Sequence, residues 1–405
     1  MFTEEREAAV CALRLSAGVI GCGYTTVDGH LPSNPGEKLK NDMGQSFLTH
    51  VTGTLRKLRK RARLTRTALS QKLNIPTCQP SQDDHRQAKL EKLIHLLDRD
   101  YIRTRGTVAE RLFYHQIAKA LKHEIFEVRR KLGADYIASF QEKLIYSDFR
   151  IEPGQGIGIV PLKGYRPFDM AQAEARKKIA QREADQLPSK GSLDYIASSQ
   201  KDFDFGSAIA QLALDPNLIV PIIRYFGCLP VLFGFDINRA SCREILKWSS
   251  HLYHRDPEDI MQIKVLIYLT DVDAETGPFT ALPAELSHTV ARQLNYRTGR
   301  LEDEEVYRIV GQGREKVCTG PQGTAIFCDT NRCFHYGGRI QARSRYVLTV
   351  YYSLPTSTWF PLFPGDGERR NLAPLLCPLE NHAFEQALLG LNWTVSELDD
   401  SLSNV

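Results

Sequence analysis

His254 and Asp256 stand two apart in the run Tyr253-His254-Arg255-Asp256, just ahead of the apolar stretch QIKVLIYL. In an extended segment alternate side chains leave the same face, so an imidazole and a carboxylate at this spacing can converge on one ion. A third donor, His335, follows the run TAIFCDT in CFHYGGR and joins them if the fold brings these strands together. Two imidazoles and one carboxylate suit non-haem Fe(II), leaving three coordination positions for substrates and O2. The triplet alone is also a common chance pattern, and a histidine at a strand edge is usually a satisfied polar residue. Arg345, ten residues beyond His335 at the start of RYVLTVYYS, adds weight. Its guanidinium offers a planar fork to a carboxylate, whereas a structural arginine on a buried strand would be costly to pair. Arg343 has the same strand parity and is the fallback for this anchor.

The elements that must carry these residues are short. Beyond Leu229 the chain alternates turns with β-rich runs, PVLFGFDI, QIKVLIYLTDV, GTAIFCDT and RYVLTVYYS, each enriched in β-branched or aromatic residues. Several such strands without long helices between them indicate a sandwich or barrel. Upstream, apolar residues recur at helical spacing over Leu55–Leu73, Leu90–Leu97 and Leu112–Leu132, and Ala171–Ala184 returns to a charged helix. The Gly/Pro-rich stretch 151–167 reads as a change of character. In LALDPNLIVPIIRYFG, Asp215 is placed as an N-cap with Pro216 at the first helical position.

Four pieces, in order, carry a resemblance to the Fe(II)- and 2-oxoglutarate-dependent oxygenases, in particular the phytanoyl-CoA dioxygenase-like branch. They are LALDPNLIVPIIRYFGCLPVLFGF, the His-Arg-Asp triplet followed by a strand, LIYLTDVDAETGPFTALPAELSH, and HYGGRIQARSRYVLTVYY. Asp271, Asp273, Gly277, Pro278, Pro283 and His288 match the third piece, and the likeness covers roughly residues 205–355. It implies an α+β protein with a double-stranded β-helix core, jelly-roll or cupin-like. It also implies His254, Asp256 and His335 as catalytic metal ligands and Arg345 on the distal carboxylate of 2-oxoglutarate. Lys264, Tyr268 and Thr280 are further candidates to touch 2-oxoglutarate from neighbouring strands. Fe(II), 2-oxoglutarate and O2 are the implied cofactor and co-substrates. The implied reaction is oxidation of an organic small molecule, foremost hydroxylation, with 2-oxoglutarate decarboxylated to succinate and CO2. A carboxylate at Asp256 leaves no room for a halide, which disfavours halogenation. AELSH departs from the usual turn before Ser-His, so that loop is expected to differ in shape.

The implied organisation is a mainly helical, basic region over 1–150, the oxygenase domain with its helical lead-in over 151–365, and a tail over 366–405 with a helix near 380–391. Lower-ranked residues are His251 and Arg339, read as a pocket-edge histidine and an exposed turn arginine, and Cys328 and Cys333, read as core thiols. Phe279, Trp359 and Phe360 are candidate apolar lining.

Composition bounds the alternatives. Of 405 residues, 42% are apolar and 25% charged, the balance of a globular protein. The longest apolar stretch, 217–235, contains Pro221, Arg224 and Pro230, which argues against a membrane span. An acidic N-terminus where a leader would be basic, and nine scattered cysteines with no CxxC pair, fit the cytoplasm. The net charge of +4 is uneven, +9 over residues 1–150 and −5 over the rest. The basic segment LRKLRKRARLTRTALSQKLNI resembles the opening of a helix-turn-helix, which makes a regulatory or binding protein on an inactive barrel the competing class. Against it, PTCQPSQDDHRQ follows where a recognition helix belongs, so nucleic acid is not the expected partner. The same patch would attract an anionic partner, including a phosphorylated or carrier-bound substrate.

Overall fold

The computed structural model describes residues 99–185, 193–199, 201–240, 250–340, 343–360 and 383–390. The basic segment 55–75 lies outside them. Three helices come first: α1 (Arg99–Arg105), α2 (Val108–Leu121) and α3 (His123–Phe140). Strand β1 (Ile157–Pro161), α4 (Arg166–Ala184) and β2 (Leu193–Ser198) follow, then α5 (Ala208–Ala213) and α6 (Pro216–Phe226). The remainder is mostly strand: β3 (Val231–Ala240), β4 (Gln262–Tyr268), β5 (Phe279–Ala281), β6 (Lys316–Cys318), β7 (Thr324–Asp329), β8 (His335–Tyr336) and β9 (Arg345–Ser353). Helices α7 (Ala284–Gln293) and α8 (Asp303–Val310) lie between β5 and β6, and α9 (Ala383–Leu388) comes last.

The strands form two antiparallel sheets, one of six in the order β1-β7-β4-β9-β3-β2 and one of three in the order β6-β5-β8. This is the jelly-roll form of a double-stranded β-helix. Strand alternation sorts the large sheet into two faces. Ile263, Val265 and Ile267 of β4 and Leu348, Val350 and Tyr352 of β9 join the main core with Leu218, Ile219 and Ile222 of α6. Leu266 and Tyr268 of β4 and Val347 of β9 turn the other way, into a second core with Phe279 and Ala281 of the small sheet. By the same parity Lys264, Arg345, Thr349 and Tyr351 belong to this inner face.

The capping signals do their local work. Asp215 accepts the Asn217 N–H at 2.8 Å, Pro216 sits at N1, and Gly227 closes α6 at φ 72°. Two strands went against the turn-like composition around them. IGIVP within the Gly/Pro-rich stretch pairs with β7, and LDYIAS pairs with β3, as the two edges of the large sheet. Pro161 is tolerated there because an edge strand has one side free of ladder bonds. Gly156, just before β1, holds φ 66°, and a Cβ on it would lie 2.8 Å from Cys333 Sγ, so both conformation and space require glycine.

Buried polar side chains tie the helices to segments that flank the strands and to α9. The Arg129 guanidinium donates to the carbonyls of Leu229 at 2.9 Å, Pro230 and Ala387 at 2.8 Å. Lys122 donates to Pro355 O at 2.6 Å, and His115 faces Asp259 at 3.2 Å. Among the described residues no helix is long and apolar enough to cross a membrane.

Candidate active site

The segment 252–256 runs antiparallel beside β8, so His254 and His335 form a cross-strand pair. His254 N–H donates to His335 O at 3.1 Å and the reverse bond is 2.9 Å. Their rings lie 4.3 Å apart between centroids. Asp256, two residues on, leaves the same face, and its backbone is fixed by Asp256 N–H to Thr330 O at 2.9 Å and by Asn331 Nδ2 to its carbonyl at 2.6 Å.

Each histidine donates its Nδ1 proton to a main-chain carbonyl two residues back, His254 to Leu252 at 2.9 Å and His335 to Cys333 at 3.1 Å. That fixes the tautomer and leaves both Nε2 atoms as acceptors directed at Asp256, at 4.0 and 3.9 Å. The three donor atoms lie within 4.8 Å of one another, and no other such group of three arises among the described residues. Burial holds His254 well below the usual imidazole range, and the neighbouring His335 adds to it; burial likewise lowers His335. Burial acts to raise the Asp256 carboxyl, but Lys264 and the two histidines outweigh it and hold it low. Two neutral imidazoles and an ionised carboxylate are the protonation states a metal needs of its ligands.

Lys264 reaches Asp256, with Nζ 2.7 Å from Oδ2, rather than the Arg345 end where a 2-oxoglutarate contact was expected. Arg345 is 5% exposed, and its Nε and Nη1 have no hydrogen-bond partner. Its guanidinium lies 5.8 Å from the centre of the Tyr268 ring, and Tyr268 is held by its hydroxyl donating to Cys318 O at 2.6 Å. Burial pushes Tyr268 up to about 12, so it stays a neutral donor. A buried guanidinium with unmet donors is costly unless an anion meets it. Arg343, by contrast, is an exposed residue paired with Asp273 at 2.5 Å, which removes it as the anchor.

Several expectations need correction. Thr280 is buried, but alternation puts it opposite Tyr336 and Val317, on the face away from Phe279, Ala281 and His335. Its hydroxyl turns back to Pro278 O at 3.3 Å. Phe279 does flank the site, its ring 5.5 Å from His335. Trp359 is 40% exposed and stacks on Phe233, while Phe360 packs with Ile125 and Val231 in a separate cluster. Arg339 is no free turn residue: it binds Asp303 with two bonds of 2.7 Å and lies 3.5 Å over Tyr336. The segment expected to close as a loop on Ser-His is helix α7, with Ser287 and His288 inside it.

Three supporting residues had no signal of their own in the sequence. The Ser287 hydroxyl donates to Leu282 O at 2.9 Å and accepts the Phe334 N–H at 2.8 Å, pinning the residue beside His335. Asn331 holds the Asp256 backbone, and Arg255 donates to Asn331 O at 2.5 Å. Asp329-Thr330-Asn331-Arg332 is thus the cradle of the His-Arg-Asp segment; only the Cys328 and Cys333 flanking it had chemistry visible in the sequence.

Over 180 residues the chain is 24% identical to L-proline trans-4-hydroxylase from Streptomyces griseoviridis, a match that covers 38% of this chain and 66% of that protein. The matched stretch therefore spans slightly less than two thirds of the relative. No family model matches the chain. Among solved structures, the epimerase SnoN, crystallised with Fe3+, alpha ketoglutarate and nogalamycin RO, aligns with this chain at a TM-score of 0.40 and 19% identity, covering 57% of this chain and 93% of its own. EctD from S. alaskensis with bound Fe aligns at 0.38 and 16%, covering 56% and 82%. Overlaps this loose leave the reading of the site to its side chains.

Proposed function

We propose that the protein is an Fe(II)- and 2-oxoglutarate-dependent dioxygenase that oxidises, foremost hydroxylates, an organic small molecule. The observation that carries the reading is one inner face bearing a two-histidine, one-carboxylate set and, beyond it, a buried arginine with unmet donors. His254, Asp256 and His335 would hold the metal, and Arg345, beside the Tyr268 ring, would hold the distal carboxylate of 2-oxoglutarate. The bound metal and 2-oxoglutarate supply the oxidising power, with 2-oxoglutarate converted to succinate and CO2 as O2 is consumed.

The chain's own part is positional. The cross-strand histidines fix the direction of two ligands, the Asn331 and Thr330 contacts fix the third, and Phe279 with the inner core keeps water from the reacting atoms. The hydroxylated amino acid named for the Streptomyces relative indicates the scale of substrate such a core accepts. Buried, unbridged Cys228, Cys318, Cys328 and Cys333 suit a reducing compartment, for which we take the cytoplasm.

Anaerobic titration with Fe(II) and then 2-oxoglutarate tests the reading. A weak visible charge-transfer band that requires both components is expected, and Arg345→Ala should raise the 2-oxoglutarate concentration needed by at least tenfold. No band, or a band indifferent to Arg345, would refute the assignment.

A further inference from the structure

The inner face of the large sheet carries a second polar constellation that metal and 2-oxoglutarate leave unused. Asp236 of β3 is 8% exposed, lies opposite Thr349 of β9, and makes no ion pair among the described residues. Its carboxylate accepts the Tyr351 hydroxyl at 2.9 Å and the Asn238 amide. Asn238 is itself 5% exposed, and its Oδ1 is buried without a partner. Nearer the metal ligands, Glu258 Oε2 is also buried without one. The unmet atoms of Asn238 and Glu258 are acceptors, whereas those of Arg345, at the start of β9 on the same face, are donors.

The geometry connects the wall to the reacting centre. Tyr351, which holds Asp236, lies under Lys264, 5.3 Å from ammonium to ring centre, and Lys264 touches Asp256. Asp236 on β3 and Lys264 on β4 are separated by β9 alone, two strand spacings or about 10 Å. That is the span of a small molecule with one end at the metal and the other on β3. Burial pushes the Asp236 carboxyl up to about 6, so at neutral pH it is a charge kept at a cost that a bound cation would offset.

We propose that the substrate carries a protonated amine, which Asp236 receives with Asn238 Oδ1 as second acceptor. The inference rests on the oxygenase reading and deepens it. It replaces the anionic or carrier-bound partner suggested by the basic segment 55–75, whose charge is not that of the inner face. At Asp236 an organic ammonium meets acceptors and a carboxylate or phosphate would meet like charge, while Lys264, already paired with Asp256, is the cation on the metal side.

The test uses the full chain with Ni(II) in place of iron and 2-oxoglutarate present, at pH 7.5, so that nothing turns over. Calorimetry compares pyrrolidine, which is protonated at that pH, with its neutral isostere tetrahydrofuran. Pyrrolidinium should bind at least tenfold more tightly, and Asp236→Asn should abolish the difference. Tyr351→Phe, which frees the carboxylate from its hydroxyl donor, gives a second variant should the first fail to fold, and should change the preference several-fold. Equal affinities, a preference untouched in Asp236→Asn, or binding of neither compound would overturn the proposal. Failure of 2-oxoglutarate to bind the nickel form would instead strike the oxygenase reading, and the pyrrolidinium preference would still be read on the metal-free protein.

Discussion

Asp256 has two claimants, the metal that the two histidines would share with it and the Lys264 ammonium 2.7 Å away. Both partners of this pair are mostly buried, so removing one strands a charge in a poorly solvated place. Asp256→Ala should therefore lose metal binding and also fold about 3 kcal/mol less stably, measured by urea denaturation of the metal-free protein. Adding Lys264→Met should restore most of that stability without restoring metal binding. A single Asp256→Ala variant as stable as wild type would show that Lys264 finds another partner and that the pair is not structural. The two histidines behave differently. Held neutral by burial and tied by Nδ1 to carbonyls, each would leave only one main-chain acceptor unmet on substitution. Their loss should be read chiefly in the metal titration.

At the scale of elements, the site exists because two very short extended pieces pair side by side, and Ser287 of α7 keeps one of them in place. Ser287→Ala removes a fully buried hydroxyl that bonds Leu282 O and the Phe334 N–H. A cost of about 1–2 kcal/mol in stability is expected. Metal affinity should fall about tenfold, as for other groups that orient a ligand without touching the ion; unchanged affinity would show that the His254 ladder alone fixes His335. The same contrast in element length explains what the sequence disclosed. The central strands β3, β4, β7 and β9 are buried on both faces, so their runs are rich in apolar and β-branched residues and read directly. The triad and Arg345 were legible because each sits at or beside one of these strands. Edge strands β1 and β2 have one unpaired side, admit Gly, Pro and Asp, and so resembled turns. Thr280 was misplaced because a three-residue strand gives no pattern from which to read its face. Ser287, Asn331 and Arg255 act through main-chain atoms of distant residues, a kind of contact that residue type does not announce.

For the molecule as a whole, helix α2 meets the loop that follows Asp256 through a buried contact. His115 of α2 is 1% exposed and faces Asp259, three residues beyond the candidate ligand Asp256; Asp259 in turn accepts the Leu354 N–H at 3.2 Å and the Thr356 hydroxyl at 3.3 Å. Desolvation drives both partners toward their neutral forms, lowering His115 to about 3 and raising Asp259 well above the carboxylate range. Their 3.2 Å approach is therefore a close contact between largely neutral groups rather than a full ion pair. The linkage has a definite sign. Below about pH 6.5 the unfolded chain protonates His115 while the folded chain does not until about 3, so the unfolded state binds more protons and stability falls as pH falls through that window. The slope from this residue is about 1.4 kcal/mol per pH unit. His115→Gln keeps the size and one donor but cannot titrate, so the wild-type minus variant difference in unfolding free energy should decline by that slope between pH 6.5 and 4.5. A flat difference would mean that water reaches His115 in the folded state, and that helix α2 is not sealed against the loop that carries the candidate ligand.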